Sequence, residues 1–172
     1  QENTAQTLTN KTLGTTLAAN NTQTIGKATT GFATVFASTF DGVKAELTGT
    51  SNIAVINGAD DGIEFFGGTV SASNLYLENN DDDSVDWTEG WNGTVTNTYI
   101  SHTIEGFSTA FEGDKVNNNP KFVNVTAVST VGGTALQFKK ESGATITKLH
   151  LSGYEENIDM RDNGPLENVK ID

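Results

Sequence analysis

A short motif recurs along most of the chain, and it limits the fold more than any other feature. Tetrads ending in a large apolar residue read Gly62-Ile63-Glu64-Phe65, Ser84-Val85-Asp86-Trp87, Ser108-Thr109-Ala110-Phe111, Ala135-Leu136-Gln137-Phe138 and Asn157-Ile158-Asp159-Met160. A second series precedes or follows them: Asn52-Ile53-Ala54-Val55, Asn74-Leu75-Tyr76-Leu77, Asn97-Thr98-Tyr99-Ile100, Asn124-Val125-Thr126-Ala127, Lys148-Leu149-His150-Leu151 and Asn168-Val169-Lys170-Ile171. A third, weaker series contains Val70, Val95, Phe122, Ile146 and Leu166. Within the first two series the step is 20–27 residues.

Three short alternating runs per repeat, separated by turns, describe one coil of a parallel β-solenoid. The expected fold is all-β, a single right-handed parallel β-helix with three short strands per coil. Alternation sends one side chain inward and the next outward. Phe65, Trp87, Phe111, Phe138 and Met160 then form one core ladder, with Glu64, Asp86, Ala110, Gln137 and Asp159 facing solvent. Asn recurs at 52, 74, 97, 124 and 168, which reads as amides hydrogen-bonded from coil to coil inside a turn.

The coils are expected over residues 49–172. Residues 1–48 have strand-forming Thr without a clear register and read as an irregular cap or first coil. The last run, Val169-Lys170-Ile171-Asp172, has no capping helix after it. An uncapped edge leaves backbone groups that another strand can take.

Composition narrows the function. The 10 basic residues face 22 acidic ones, a net charge of −12, which disfavours nucleic acid as a partner. With no Cys there is no disulfide framework and no thiolate zinc site. No run approaches the roughly 20 apolar residues of a membrane span. Acidity, abundant Thr and Asn and the lack of Cys point to a secreted protein at a bacterial cell surface.

Two blocks carry a resemblance. Asp60-Asp61-Gly62-Ile63-Glu64-Phe65-Phe66-Gly67-Gly68 and Asp82-Asp83-Ser84-Val85-Asp86-Trp87 are similar to a repeated block in secreted or lipid-anchored β-helix proteins of marine and other Gram-negative bacteria. The resemblance covers residues 57–93 and implies an extracellular right-handed parallel β-helix. It implies no mechanism. The lipid-attachment Cys of such proteins is absent here.

The turns before the tetrads hold the chemistry. Shifted by one repeat, Asp60 falls on Asp82, Asp61 on Asp83 and Glu64 on Asp86. Coils lie about 4.8 Å apart, so like charges stack at a cost of about 1 kcal/mol per pair even in water. Calcium, which takes carboxylate, amide and carbonyl oxygens, would offset this. Asp60, Asp61, Asp81, Asp82 and Asp83 are the candidate ligands, with Asn79 and Asn80 beside them. The plain alternative is solvated turn carboxylates, because Asp and Asn favour turns by bonding the local backbone.

A third reading is acid–base cleavage of a glycosidic bond by paired carboxylates. Pectin-cleaving glycosidases add Gly-His-Gly and Arg-Ile-Lys blocks. Here Ser101-His102-Thr103 and Lys139-Lys140 lack those flanks, and Arg161 is the one arginine. Trp91 and Asn92, in a turn, are candidate glycan contacts, against the alternative that Trp91 folds back over a solenoid corner.

The first functional expectation is a non-catalytic extracellular structural or adhesive module, calcium-stiffened, that meets surface glycan or protein. The second is a fibre subunit whose partner is itself, stacked end to end. The third is a polysaccharide hydrolase or lyase.

Overall fold

The computed structural model describes residues 52–162 and 164–172. All of them belong to the compact unit Lys44–Asp172. The segment 1–48, expected to be a cap, lies outside the described residues.

The chain forms a parallel β-solenoid of about five coils. Its strands are β1 (Ile53–Ile56), β2 (Ile63–Phe66), β3 (Ala72–Glu78), β4 (Val85–Thr88), β5 (Thr94–His102), β6 (Thr109–Gly113), β7 (Lys121–Ser129), β8 (Thr134–Lys139), β9 (Ala144–Ser152), β10 (Glu156–Arg161) and β11 (Val169–Ile171). The odd-numbered strands make a six-stranded sheet in the order β1-β3-β5-β7-β9-β11, and the even-numbered ones a five-stranded sheet. Every pairing is parallel. A short 3-10 turn, Leu166–Asn168, precedes the last strand.

The three runs of each coil are carried by these two sheets. The third run of one coil and the second run of the next lie in one strand. In β5 and β7, for example, Thr96 pairs with Val123 and Thr98 with Val125, while the residue between is skipped. The skipped residues Asn74, Asn97, Asn124 and Lys148 have φ of 56°, 60°, 61° and 55°. A left-handed residue breaks the ladder for one step, and Asn tolerates that conformation better than most side chains.

The amides of these residues form the expected row. Asn74 Nδ2 donates to Asn52 Oδ1 at 3.3 Å, Asn97 Nδ2 to Asn74 Oδ1 at 2.8 Å, and Asn124 Nδ2 to Asn97 Oδ1 at 2.8 Å. The row lies on the surface rather than inside a turn. Lys148 ends it, and Asn168 stands apart, donating to the Glu141 carbonyl.

Two other registers differ from expectation. Phe65 pairs with Trp87, but Trp87 pairs with Gly113, which in turn pairs with Phe138 and then Met160. Phe111 stands in the neighbouring ladder between Val85 and Leu136. The reason is the bulk of the Trp87 indole. A Cβ at Gly113 would lie 2.5 Å from Trp87 Cζ2, so only glycine fits beside it. At the other site, Val169 and Ile171 pair with Ala144 and Ile146, the third-run position, because Leu166 is turned outward in the 3-10 segment.

Inward ladders from both sheets make one core that includes Leu75, Leu77, Val85, Trp87, Ile100, Phe111, Phe122, Leu136, Phe138 and Ile146. Thr98 is the exception within it. It sits between Leu75 and Val125 in a ladder, is 3% exposed, and its Oγ1 has no hydrogen-bond partner among the described residues. Burying an unpaired hydroxyl costs about 1–3 kcal/mol. Thr98→Val keeps the shape and removes that cost, so the denaturation midpoint in urea should rise. A lower midpoint would mean that the hydroxyl is satisfied in solution.

Candidate functional site

The register that puts Gly113 beside Trp87 also aligns the acidic residues. On the outer face of the five-stranded sheet, Glu64 pairs with Asp86, Asp86 with Glu112, Glu112 with Gln137, and Gln137 with Asp159. The expected outward residue of the third coil was Ala110, which is buried. Glu112 takes its place, so three carboxylates follow one another on consecutive coils. The recurring apolar-acid-apolar triplet of Val85-Asp86-Trp87 and Ile158-Asp159-Met160 would have revealed it, had Phe111-Glu112-Gly113 been read with glycine as the third member.

A second pair of carboxylates lies at the start of these strands. Asp61 Oδ1 accepts the backbone N–H of Asp83 at 3.0 Å. Asp83 Oδ1 accepts the Thr109 hydroxyl at 2.6 Å. Each side chain thus ties one turn to the next, and Asp83 is buried by doing so. Among the described residues, two groups of three come close enough to share an ion. The carboxylate oxygens of Asp60, Asp61 and Asp82 lie within 4.8 Å of one another, as do those of Asp61, Glu64 and Asp86. Asp61 belongs to both.

The five expected calcium ligands therefore divide. Asp60, Asp61 and Asp82 come together. Asp81 is exposed and belongs to neither group, and Asp83 is turned into its bond with Thr109. The amides beside them are also engaged. Asn79 Oδ1 accepts the Thr103 N–H at 2.8 Å, and Asn80 Oδ1 accepts the Gly58 N–H at 3.1 Å.

Burial raises the proton affinity of this cluster. Asp86 is pushed up to about 8, by desolvation first and then by the negative charges of Asp61, Glu112, Glu64 and Asp83. Asp61 rises to about 7, again mainly by desolvation, against the lowering effect of the Asp83 N–H. Asp83 rises to about 6 by desolvation, held back by the Thr109 hydroxyl. Glu64 is raised by desolvation and opposed by its hydrogen bond with Asp86. Asp86 Oδ1 is buried without a hydrogen-bond partner among the described residues.

Among the described residues, the cations that pair with this ladder do so in its later coils. Lys139 pairs with Glu112, and Arg161 with Asp159, which also accepts Gln137 Nε2 at 2.9 Å. Among the described residues no salt bridge reaches Asp61, Glu64 or Asp86. The first two coils therefore present a set of carboxylates that no cationic side chain pairs with among the described residues.

Trp91 offers no face to a glycan. It is fully buried, stacks on Phe65 with ring centroids 4.1 Å apart, and donates its Nε1–H to the Val70 carbonyl at 2.9 Å. It folds back over the corner between β4 and β5. Asn92 beside it is exposed.

A buried polar network around His102 had no signature in the repeat pattern. His102 lies between Ser84 Oγ at 2.9 Å and the Tyr154 hydroxyl at 3.0 Å, with the Phe107 ring stacked flat on it at 3.6 Å. Ser84 and His102 are inaccessible to solvent. Desolvation pushes the His102 pKa down to about 4, so the imidazole is neutral at ordinary pH. The group joins three separated stretches of chain, and its lack of solvent access gives a substrate no route to it.

Residues 26–172 match the family model described as "Pectate-lyase like beta helix domain". No curated protein sequence and no solved structure matches the chain.

Proposed function

The chain belongs to the family of pectate-lyase-like β-helix domains, and on that premise we propose an extracellular structural or adhesive solenoid module stiffened by calcium on its carboxylate ladder. One observation carries this reading. Asp61, Glu64 and Asp86 bring oxygens within 4.8 Å of one another, half-buried, with no salt bridge to them among the described residues. Calcium is a hard cation suited to an all-oxygen set, and it would be held by these three groups with water completing its shell. Asp60 and Asp82 extend the set through Asp61.

Calcium and protons compete for such groups. Adding calcium at neutral pH should raise the thermal midpoint and release protons, seen as a binding enthalpy that varies with the buffer's ionisation enthalpy. At free calcium a hundredfold above Kd the gain is about 2.7 kcal/mol. Asp86→Asn should lose most of that gain. A midpoint that is the same in millimolar calcium and in chelator would sink the calcium part of the reading.

A second reading is favoured by Asp86 itself. A carboxyl that holds its proton to about pH 8 beside other carboxylates suits a general acid, with Asp61 or Glu64 as its base or nucleophile. Family membership supports cleavage of a polysaccharide in the same way. The test is turnover of pectate, alginate and neutral glycans. Activity that is lost in Asp86→Asn and in Asp61→Ala would place the protein among the enzymes, and no turnover on any of them would remove this reading.

A further inference from the structure

The readily oxidised side chains of this protein are few and unevenly placed. The chain has three Tyr, two Trp, one Met and no Cys. Trp87 and Trp91 are buried in the core. Tyr154 is half-buried, with its hydroxyl bonded to His102 at 3.0 Å. Met160 is half-buried against the core. Tyr76 and Tyr99 differ from all of these, for each is 40% exposed on the outer face of the six-stranded sheet.

The same two residues stack on each other. They are register partners on β3 and β5, and their rings lie 9° from parallel with centroids 5.6 Å apart. The stack holds two rings and stops, because the next members of that ladder are Ala54 beside Tyr76 and Thr126 beside Tyr99. Tyr76 also has a proton acceptor at hand. Its hydroxyl donates to Glu78 Oε2, from the next outward position of the same strand. A phenol gives up an electron more readily when a positioned carboxylate takes its proton in the same step.

We propose that Tyr76 and Tyr99 form an oxidative cross-linking site, at which a one-electron oxidant of the haem-peroxidase class joins the two rings into an intrachain dityrosine. Each tyrosine gives one electron to the oxidant and releases its phenolic proton, Tyr76 to Glu78 and Tyr99 to water. The unpaired electrons of the two phenoxyl radicals spread to the ring carbons ortho to oxygen, and a bond forms between one Cε of each ring. The hydrogens on those two carbons then move to the phenoxyl oxygens and restore both phenols. The two electrons and two protons released reduce one hydrogen peroxide to two waters. With no third tyrosine in the ladder, the reaction ends at one bond. That bond ties two neighbouring coils and closes the stretch 76–99 into a loop, which removes conformational freedom from the unfolded chain. The site is separate from the carboxylate ladder, and the chemistry does not require calcium.

The experiment treats the full chain, dilute and in chelator, with a haem peroxidase and hydrogen peroxide. A second arm uses a small photo-excited ruthenium oxidant, which reaches the rings without docking. Dityrosine fluorescence should appear in a product that stays monomeric on a denaturing gel and is lighter by two hydrogens. Its digest should contain one peptide pair, joined through Tyr76 and Tyr99. Tyr76→Phe and Tyr99→Phe should each abolish this product, and both keep the ring, so the fold is retained. Glu78→Gln should slow the reaction, and an unchanged rate would remove Glu78 as the proton acceptor. The cross-linked chain should unfold at a higher urea midpoint than the untreated one. No fluorescence with either oxidant overturns the proposal, as does a product confined to chain-to-chain dimers, or an intrachain product that survives in either Phe variant. Because calcium is absent throughout, failure here leaves the calcium reading untouched.

Discussion

Replacing Trp87 with alanine should lower the unfolding free energy by about 3–5 kcal/mol, the range for deleting a large aromatic from a core. Trp87 is 1% exposed and sits near the middle of the interior, with Phe122 and Phe138 ring centroids at 5.1 and 6.0 Å. Its indole also occupies the space next to Gly113, where a Cβ would come within 2.5 Å of it. Gly113→Ala should therefore cost about 1–3 kcal/mol by overpacking. The sharper test combines the two. In a Trp87→Leu background the space beside Gly113 opens, so the penalty of Gly113→Ala should shrink towards zero. Urea denaturation of the four proteins measures the coupling. An equal penalty in both backgrounds would show that Gly113 is needed for some reason other than the indole.

Stability should fall as pH rises from about 6.5 to about 8 in the absence of divalent cations. Asp86 has a folded pKa of about 8 against 3.8 in the unfolded chain, and Asp61 about 7 against 3.8. Between those values the folded protein binds more protons than the unfolded one, so each step up in pH favours unfolding. His102 acts in the other direction. Its folded pKa of about 4 lies below the unfolded 6.5, so its contribution is complete above pH 6.5 and fades as pH falls towards 4. From 4 to 6.5 the two effects oppose each other. Above 6.5 the carboxylates act alone, which makes that window the clean one. Thermal midpoints in chelator should drop across it, and Asp86→Asn should flatten the drop. A midpoint that rises across the window in wild type would mean that these carboxyls are well solvated.

The repeat was legible because two periods reinforce each other, two residues along a strand and a coil of 20–27 residues along the chain. That was enough to place Leu75, Leu77, Val85 and Trp87 in the core. It was not enough to fix register in the third coil. Phe111 looks like the aromatic that should follow Trp87, and only the volume of an indole against the absent side chain of Gly113 decides otherwise. The same slip hid Glu112 from the acidic ladder. Trp91 was ambiguous because it sits at a turn, and a turn in a solenoid can point its side chain inward across a corner. Asp60, Asp61 and Asp82 were read from the repeat only within a set of five, and nothing in the repeat shows that Asp81 stays apart or that Asp83 turns to Thr109. The His102 network was not, since Ser84 and Tyr154 reach it from other coils and no local pattern connects them.

The pairing of Trp87 with Gly113 has a consequence for assembly of the fold. A stack of near-identical coils has translational degeneracy, because a coil displaced by two residues still presents apolar side chains inward. Val85 and Trp87 differ enough in size that Phe111 and Gly113 accept them in one alignment only. Sliding that strand by two residues would set Phe111 against the indole and bring the hydroxyl of Thr109, in place of a ring, beside Val85. One oversized side chain and one missing one thus work as a lock and key within the chain, giving a repetitive fold a single phase.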